Sequence, residues 1–188
     1  MKGDITERLD KLREKFQNAD FLQGHGLANE VNINIFCYDP KDEMVVRHFV
    51  SQALSDASLA SKCNLKECNL YRIFLSICDD FAITAGAPDV EIKRGREHML
   101  KVLQRAANNK SFVAKMQYPD HKLGDVLLLT GVGEAYPYMR MHSLLEAIQP
   151  EFSDIPVVVM YPGKFDGRSL KLFDKLIPNS YYRAFNII

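Results

Sequence analysis

Gly124-Asp125-Val126-Leu127-Leu128-Leu129-Thr130-Gly131-Val132-Gly133 is the stretch from which the fold is read, a buried strand entering a glycine turn. Val126 to Leu129 is an unbroken apolar run, short for a helix and bounded by turn residues, the pattern of a strand covered on both faces. Gly131 and Gly133 are free to take backbone angles that a side chain forbids. Pro137 suits the first turn of a following helix, where its missing N–H is not needed. Beyond it, Met141, Leu144, Leu145 and Ile148 share one helical face, Arg140 and Ser143 the opposite one, with His142 to the side. A strand passing through a glycine turn into a helix either presents backbone N–H groups to an anion or simply makes a tight connection. The GxG lacks the third glycine of a dinucleotide fingerprint, and no lysine follows as in a P-loop.

A second apolar run, Ile155 to Tyr161, predicts another buried strand. Pro162-Gly163 has the form of a type II turn and Asp166-Gly167 of a further turn; Ser169 is placed to cap a helical segment from Leu170 to Leu176. Tyr182, Ala184, Phe185 and Ile187 predict a last strand. Toward the N-terminus, Asp4-Ile5-Thr6-Glu7 has the form of a capping box opening a helix over about residues 5 to 18. A loop over 19 to 29 holds His25 between Gly24 and Gly26. Val31, Ile33 and Ile35 alternate with Asn32, Asn34 and Phe36, a strand with one apolar face that ends at Asp39-Pro40.

Val46, Phe49, Val50, Ala53, Leu54 and Ala57 predict a helix over about 42 to 57, with Arg47 and His48 off its apolar face and solvated. A short strand follows at Asn64 to Cys68, then a helix from Tyr71 to Phe81 packing through Phe74, Leu75, Ile77, Cys78 and Phe81. Ala85-Gly86-Ala87-Pro88 breaks it, and Asp89 caps a further helix over 90 to 108 that contains Gly95 and packs through Ile92, Met99, Leu100 and Leu103. The alternation of strands with helices predicts an α/β fold: one three-layer domain over residues 1–188, its mostly parallel sheet of about five strands flanked by helices.

Composition bounds the function. The chain has 188 residues, 47% hydrophobic and 26% charged, with formal net charge +0, so bulk electrostatics advertise neither nucleic acid nor membrane. No run approaches the roughly 18 apolar residues of a membrane span. The charged N-terminal segment is unlike a signal-peptide core, and a cytoplasmic protein is expected. Cys37, Cys63, Cys68 and Cys78 form no CxxC pair and read as free thiols of a reducing compartment. Lys93, Arg94, Arg96, Lys101 and Arg105 make the most basic part of the chain, a solvated helix surface or a docking surface for an acidic protein in preference to a nucleic-acid face, since no aromatic residues interleave with them.

Catalytic signatures are lacking. There is no GxSxG, HExxH, EF-hand or Walker A sequence. The histidines show no metal-ligand spacing, and Asp79-Asp80 point about 100° apart on a helix, which makes no carboxylate dyad. No catalytic residue, metal or cofactor is expected.

Three blocks carry a family resemblance. Leu129-Thr130-Gly131-Val132-Gly133, followed by Tyr136-Pro137, Arg140, His142 and Leu144-Leu145, is the first. Pro156 to Gly163, continued by Asp166-Gly167 and Ser169 to Phe173, is the second, and Asn179 to Phe185 the third. Together they resemble the BrxB family of BREX phage-defence systems. The resemblance implies a cytosolic, non-catalytic adaptor of a multi-protein antiviral machine, binding a PglZ-like protein and other BREX components. The candidate ligand- or partner-binding residues are then Gly131, Gly133, Tyr136, Arg140, His142, Tyr161 and Gly163, on turns expected to share one rim of the sheet. The alternative is a nucleotide- or phosphate-binding domain using the Gly131-Val132-Gly133 turn.

Overall fold

A computed structural model of the chain describes residues 3–23, 32–118, 120–177, 179–180 and 184–188; residues 24–29 of the expected loop, with His25, and the expected strand residue Tyr182 lie outside them, while the start of that loop is instead helical at Ala19–Leu22, where the Asn18 side chain caps Phe21 N–H. The chain begins with helices α1 (Ile5–Phe16) and α2 (Ala19–Leu22), then strand β1 (Ile33–Tyr38). Helices α3 (Glu43–Ser55) and α4 (Ala57–Ala60) lead to β2 (Asn64–Asn69). Four helices follow: α5 (Leu70–Asp80), α6 (Ile83–Arg94), α7 (Arg96–Ala106) and α8 (Asn109–Met116). Then come β3 (Asp125–Thr130), α9 (Val132–Ala135), α10 (Met141–Ile148), β4 (Val157–Phe165), β5 (Ser169–Leu172), β6 (Asn179–Ser180) and β7 (Phe185–Asn186).

The main sheet runs β2-β3-β4-β1-β7, and each of its neighbouring pairs is parallel. The two apolar runs lie side by side, Leu127, Leu128 and Leu129 opposite Val157, Val158 and Val159. Beyond the sheet's edge β4 continues into an antiparallel hairpin with β5, which in turn pairs with β6. The fold is thus the expected α/β architecture with a mostly parallel sheet between helical layers.

Side-chain alternation divides the core in two. Ile33, Ile35, Leu127, Leu129, Val157 and Val159 point to the layer of α5, α8 and α10, where Phe74, Ile77, Phe112, Leu144 and Ile148 meet them. Phe36, Val126, Leu128, Val158 and Met160 point the other way, onto Leu9, Leu12, Phe16, Val46 and Phe49 of α1 and α3. Both faces of β1 are therefore buried, not one: all six of its residues are buried, including Asn34, whose amide donates to Asn32. The crossover from β1 to β2 runs opposite in direction to those from β2 to β3 and β3 to β4. Its helix accordingly packs on the opposite face, as right-handed crossovers require.

Several local expectations are corrected. Asp4 makes no side-chain cap on α1, and Glu7 instead binds Lys11 at 2.6 Å, one turn on. Leu54, Leu75 and Phe81 are exposed (40%, 42% and 61%), so the core faces of α3 and α5 are narrower than their apolar content suggests. Ala57 is exposed and opens α4, where Asp56 caps Ser58 and Leu59. Ala82, at φ 52°, ends α5; Pro88 then lies inside α6, and the break falls at Gly95, whose φ is 81°. Pro88 forgoes one hydrogen bond inside α6, and the chain breaks instead at Gly95, where glycine takes a positive φ that a side chain would resist. Residues 170–176 form no helix: Ser169–Leu172 is a strand, and Asp166 binds the Arg168 and Ser169 N–H groups to close the hairpin.

Thiol burial has a pH consequence. Cys37, Cys63, Cys68 and Cys78 are free. Burial pushes the Cys37 thiol up to about 12, and Cys63 and Cys68 up to about 11, from an ordinary 9.0. The folded chain holds neutral thiols that the unfolded chain ionises first. Their contribution is complete below about pH 9 and is lost as pH rises toward about 12. The urea midpoint is expected to hold from about pH 7 to 8.5 and to fall steadily above about pH 9; a midpoint flat to pH 11 contradicts the burial of these groups.

Candidate functional site

The strand C-termini form one rim. On it, β4 separates two clefts because its successive residues Met160 and Tyr161 point to opposite faces. The rim is a place where connections leave the sheet in opposite directions: β1 exits to α3 on one face, β3 to α9 and α10 on the other. In open α/β sheets such a divergence opens a crevice.

On the α10 side lies a groove of about 280 Å³, lined by Tyr136, Met139, Arg140, His142, Tyr161 and Leu172 among others. Tyr161 is 2% exposed, and burial pushes its phenol pKa above the ordinary value. Tyr136 stands edge-on to Phe173, ring centroids 6.4 Å apart. Arg140 precedes the first turn of α10 and is exposed. His142 Nε2 lies 3.1 Å from Ser143 Oγ, while its Nδ1 is buried without a hydrogen-bond partner among the described residues. Pro137 is not in a helix's first turn: its peptide with Tyr136 is cis, and the helix opens four residues later at Met141.

Across β4 is a more polar cleft of about 320 Å³ containing Tyr38, Glu43, Arg47, Glu67, Arg72 and Glu134 beside Gly131. The Tyr38 hydroxyl donates to Glu43 Oε2 at 2.6 Å. Burial first, then this carboxylate, raises the phenol's pKa. Arg47 is not simply solvated. Its Nε donates to Glu43 Oε1 at 2.8 Å and its Nη2 lies 3.0 Å from Glu134 Oε2, joining α3 to α9. Thr130 Oγ1 donates to Glu67 Oε1 at 2.6 Å, tying β3 to β2. The sequence signal for this group was the Glu43/Arg47 spacing of four; nothing local announced Glu67 or Glu134.

The predicted residues therefore divide among three places. Tyr136, Arg140, His142 and Tyr161 come together in the groove. Gly131 faces the polar cleft. Gly163 lies within β4 instead of a turn, beside a third recess holding Asp39, Lys164 and Asp174. Lys164 binds Asp174 there at 2.5 Å, and that contact holds the exposed carboxyl below its usual range. Gly133 keeps a helical angle; its need for glycine is spatial, because an added Cβ would sit 2.9 Å from the Phe173 ring and 3.3 Å from Pro162. Lys93, Arg94, Arg96, Lys101 and Arg105 belong to α6 and α7 and are not among the residues lining these clefts.

Gly131 has the angle that Gly133 lacks. Its φ is 69°, and a Cβ there would lie 2.8 Å from Asn69 Oδ1, the acceptor that caps α5 through Arg72 N–H at 3.0 Å. Gly131→Ala is expected to cost about 2 kcal/mol from the left-handed angle and the displaced cap together. Asn69→Ala alone removes the cap, at about 1 kcal/mol, and also frees the space. The pair should cost less than the sum of the two singles in urea titrations; additivity would contradict the contact.

No group of His, Cys, Asp and Glu that could hold a metal ion occurs among the described residues, and no helix among them is long and apolar enough to cross a membrane. A chain of this kind, a parallel α/β sheet with a groove of aromatic and methionine side chains at its rim, belongs by sequence to a recognised family. The family model "BREX protein BrxB" matches residues 66–187. A BREX protein BrxB from Bacillus cereus (strain H3081.97) is 33% identical over 187 residues, covering 98% of this chain and 97% of the relative. Another from Escherichia coli O9:H4 (strain HS) is 28% identical over 187 residues, covering 98% and 92%. The chain is a member of the BrxB family. No solved structure matches it.

Proposed function

We propose that this chain is a non-catalytic adaptor of a BREX phage-defence assembly, working in the cytoplasm as one unit over residues 1–188. It binds a PglZ-like protein, and beside it other BREX components, through the groove of Tyr136, Arg140, His142 and Tyr161. Family membership supports the defence role. The groove's composition carries the adaptor reading: tyrosine, methionine and one exposed arginine around the buried apolar residues Val132, Met139 and Leu170 are residue types that dominate protein interfaces. Arg140 supplies an anchor for a carboxylate of the partner, and Tyr136 a flat apolar surface with a polar tip.

Co-expression with the PglZ-like protein of the same system, followed by size exclusion and calorimetry, tests this. A stoichiometric complex is expected, and Tyr136→Ala combined with Arg140→Ala should weaken it about 100-fold. No complex with any BREX protein would refute the adaptor role; a complex that the double variant leaves intact would refute the groove.

The second reading, phosphate or nucleotide binding at the Gly131 turn, draws on Arg72, an exposed cation lining the cleft beside that turn. Glu43, Glu67 and Glu134 share the cleft with only two guanidiniums, an unfavourable balance for an anion. A thermal shift with a nucleotide panel separates the readings: stabilisation by any nucleotide, lost in Arg72→Ala, would favour the second.

A further inference from the structure

We infer that Gln104 of α7 and Asn109 of α8 are positioning residues for the groove, a role that rests on the groove being the partner site. They hold the backbone of residues 136–143 in its binding shape and so govern how readily a partner is captured. Five of the groove's lining residues, Tyr136, Met139, Arg140, Met141 and His142, come from this one stretch. It joins α9 to α10, and its residues 136–140 belong to neither helix nor strand. No ladder of hydrogen bonds fixes them. The local bonds reach back only to the Ala135 carbonyl, which accepts from Tyr138 N–H at 2.9 Å and from Met139 N–H at 3.3 Å. The first turn of α10 has no side-chain cap to fix where it starts. Local chemistry thus makes a turn without deciding where the turn lies relative to Tyr161 and Leu172 on the other wall of the groove.

Three contacts from other helices supply that decision. Gln104 Nε2 donates to the Pro137 carbonyl at 2.9 Å, across 33 residues of chain. Asn109 Nδ2 donates to the Ser143 carbonyl at 2.9 Å, across 34. Between them the Tyr138 ring stacks on Phe74, centroids 4.1 Å apart and planes 8° apart, and Phe74 is itself buried in the core. The pins at 137, 138 and 143 bracket Met139 to His142. Neither Gln104 nor Asn109 lines the groove, so both act on it through the shape of the loop. Gln104 is exposed and Asn109 half-buried, so neither holds the core. Asn109 is also not the cap of α8; Asn108 takes that place, accepting from Ser111 N–H at 3.1 Å. A loop that wanders among shapes binds with its affinity reduced by the competent fraction, and pinning it removes that loss. Since no contact with the partner is lost when a pin is cut, capture slows while release does not change.

The test compares the full chain with Gln104→Met, which keeps the length and helix preference of glutamine but has no donor, with Asn109→Ala, and with the pair. Amide hydrogen exchange is read by mass spectrometry on the free chain, and surface plasmon resonance against the PglZ-like protein gives the two rates. In the pair, the amides of residues 138–144 should exchange about tenfold faster while those of β3 and β4 keep the parent's protection. Association should slow about fivefold at an unchanged dissociation rate. Arg140→Ala is the contrast: as a contact residue it should speed release. Exchange unchanged at 138–144, association unchanged, or a loss of affinity carried by faster release overturns the inference. Exchange that rises equally across β3 and β4 means that the variants loosen the whole fold, and overturns it as well. If the parent captures no BREX protein, the groove reading falls and this role with it. The two failures are told apart because exchange in the free chain needs no partner and shows by itself whether the two amides hold the loop.

Discussion

Gly163→Ala is expected to destabilise the fold by about 3 kcal/mol and to abolish the partner binding proposed for the groove, even though it adds a single methyl group. The position has no left-handed angle to protect. Its constraint is the neighbouring strand: a Cβ built there lies 2.2 Å from the Lys171 carbonyl oxygen, 3.0 Å from the Tyr161 ring and 3.1 Å from the Phe173 N–H nitrogen. Two of these atoms are backbone, so no rotamer change relieves the contact. The β4–β5 pairing of Gly163 with Leu172 must open instead. That seam carries Leu170, Leu172 and Tyr161, which line the groove, so stability and binding should fall together. Urea titration and calorimetry with the PglZ-like protein measure the two effects. A variant as stable as the parent would mean that β5 does not close on β4 as described.

Phe112→Ala should cost about 3 to 5 kcal/mol, the range for emptying a phenylalanine site in a rigid core. Phe112 is 0% exposed, on a helix that packs between α5 and α10. Its neighbours Phe74, Ile77, Leu144 and Ile148 come from elements that also hold the strands, and they cannot collapse into the space without moving the sheet. The urea midpoint should drop with an unchanged slope. A loss below about 1 kcal/mol would show that α8 is not docked in the core. The contrast with α6 is instructive: Ile92→Ser, also a large apolar residue on a helix, is expected to leave stability unaltered because its side chain already faces water.

Membership of the same helical region therefore does not decide a residue's weight, and the sequence could not distinguish the two cases. Ile92 was expected to pack inward on a helix continuous from 90 to 108. The real break at Gly95 re-phases the pattern, so Met99 is buried while Ile92 is not. Periodicity depends on where a helix starts, and Pro88 and Gly95 each had the local chemistry to set that point. Helix α8 went unread for a related reason: with only Phe112 and Met116 buried, its pattern is too short to stand out.

The rim was more legible than its chemistry. Tyr136, Arg140, His142 and Tyr161 were named from the order of motifs and do share a groove. Glu67 and Glu134 were not, because each enters the polar cleft from a different strand or helix, and no spacing rule links residues so far apart in the chain. Pro162-Gly163 misled in the opposite direction. Its turn chemistry is genuine, yet β4 continues through it because β5 offers a pairing partner that only tertiary structure supplies.

The sequence by itself determined the α/β class, the two central apolar strands and the exit of β3 into a left-handed Gly131, since hydrophobic runs and glycine angles are local properties that any fold must satisfy. It determined the family as well. Tertiary structure alone decided that β1 is buried on both faces, that Gly163 lies in a strand, and which side chains meet in each cleft. Those outcomes depend on contacts between segments distant along the chain, where steric fit and burial outweigh what neighbouring residues prefer.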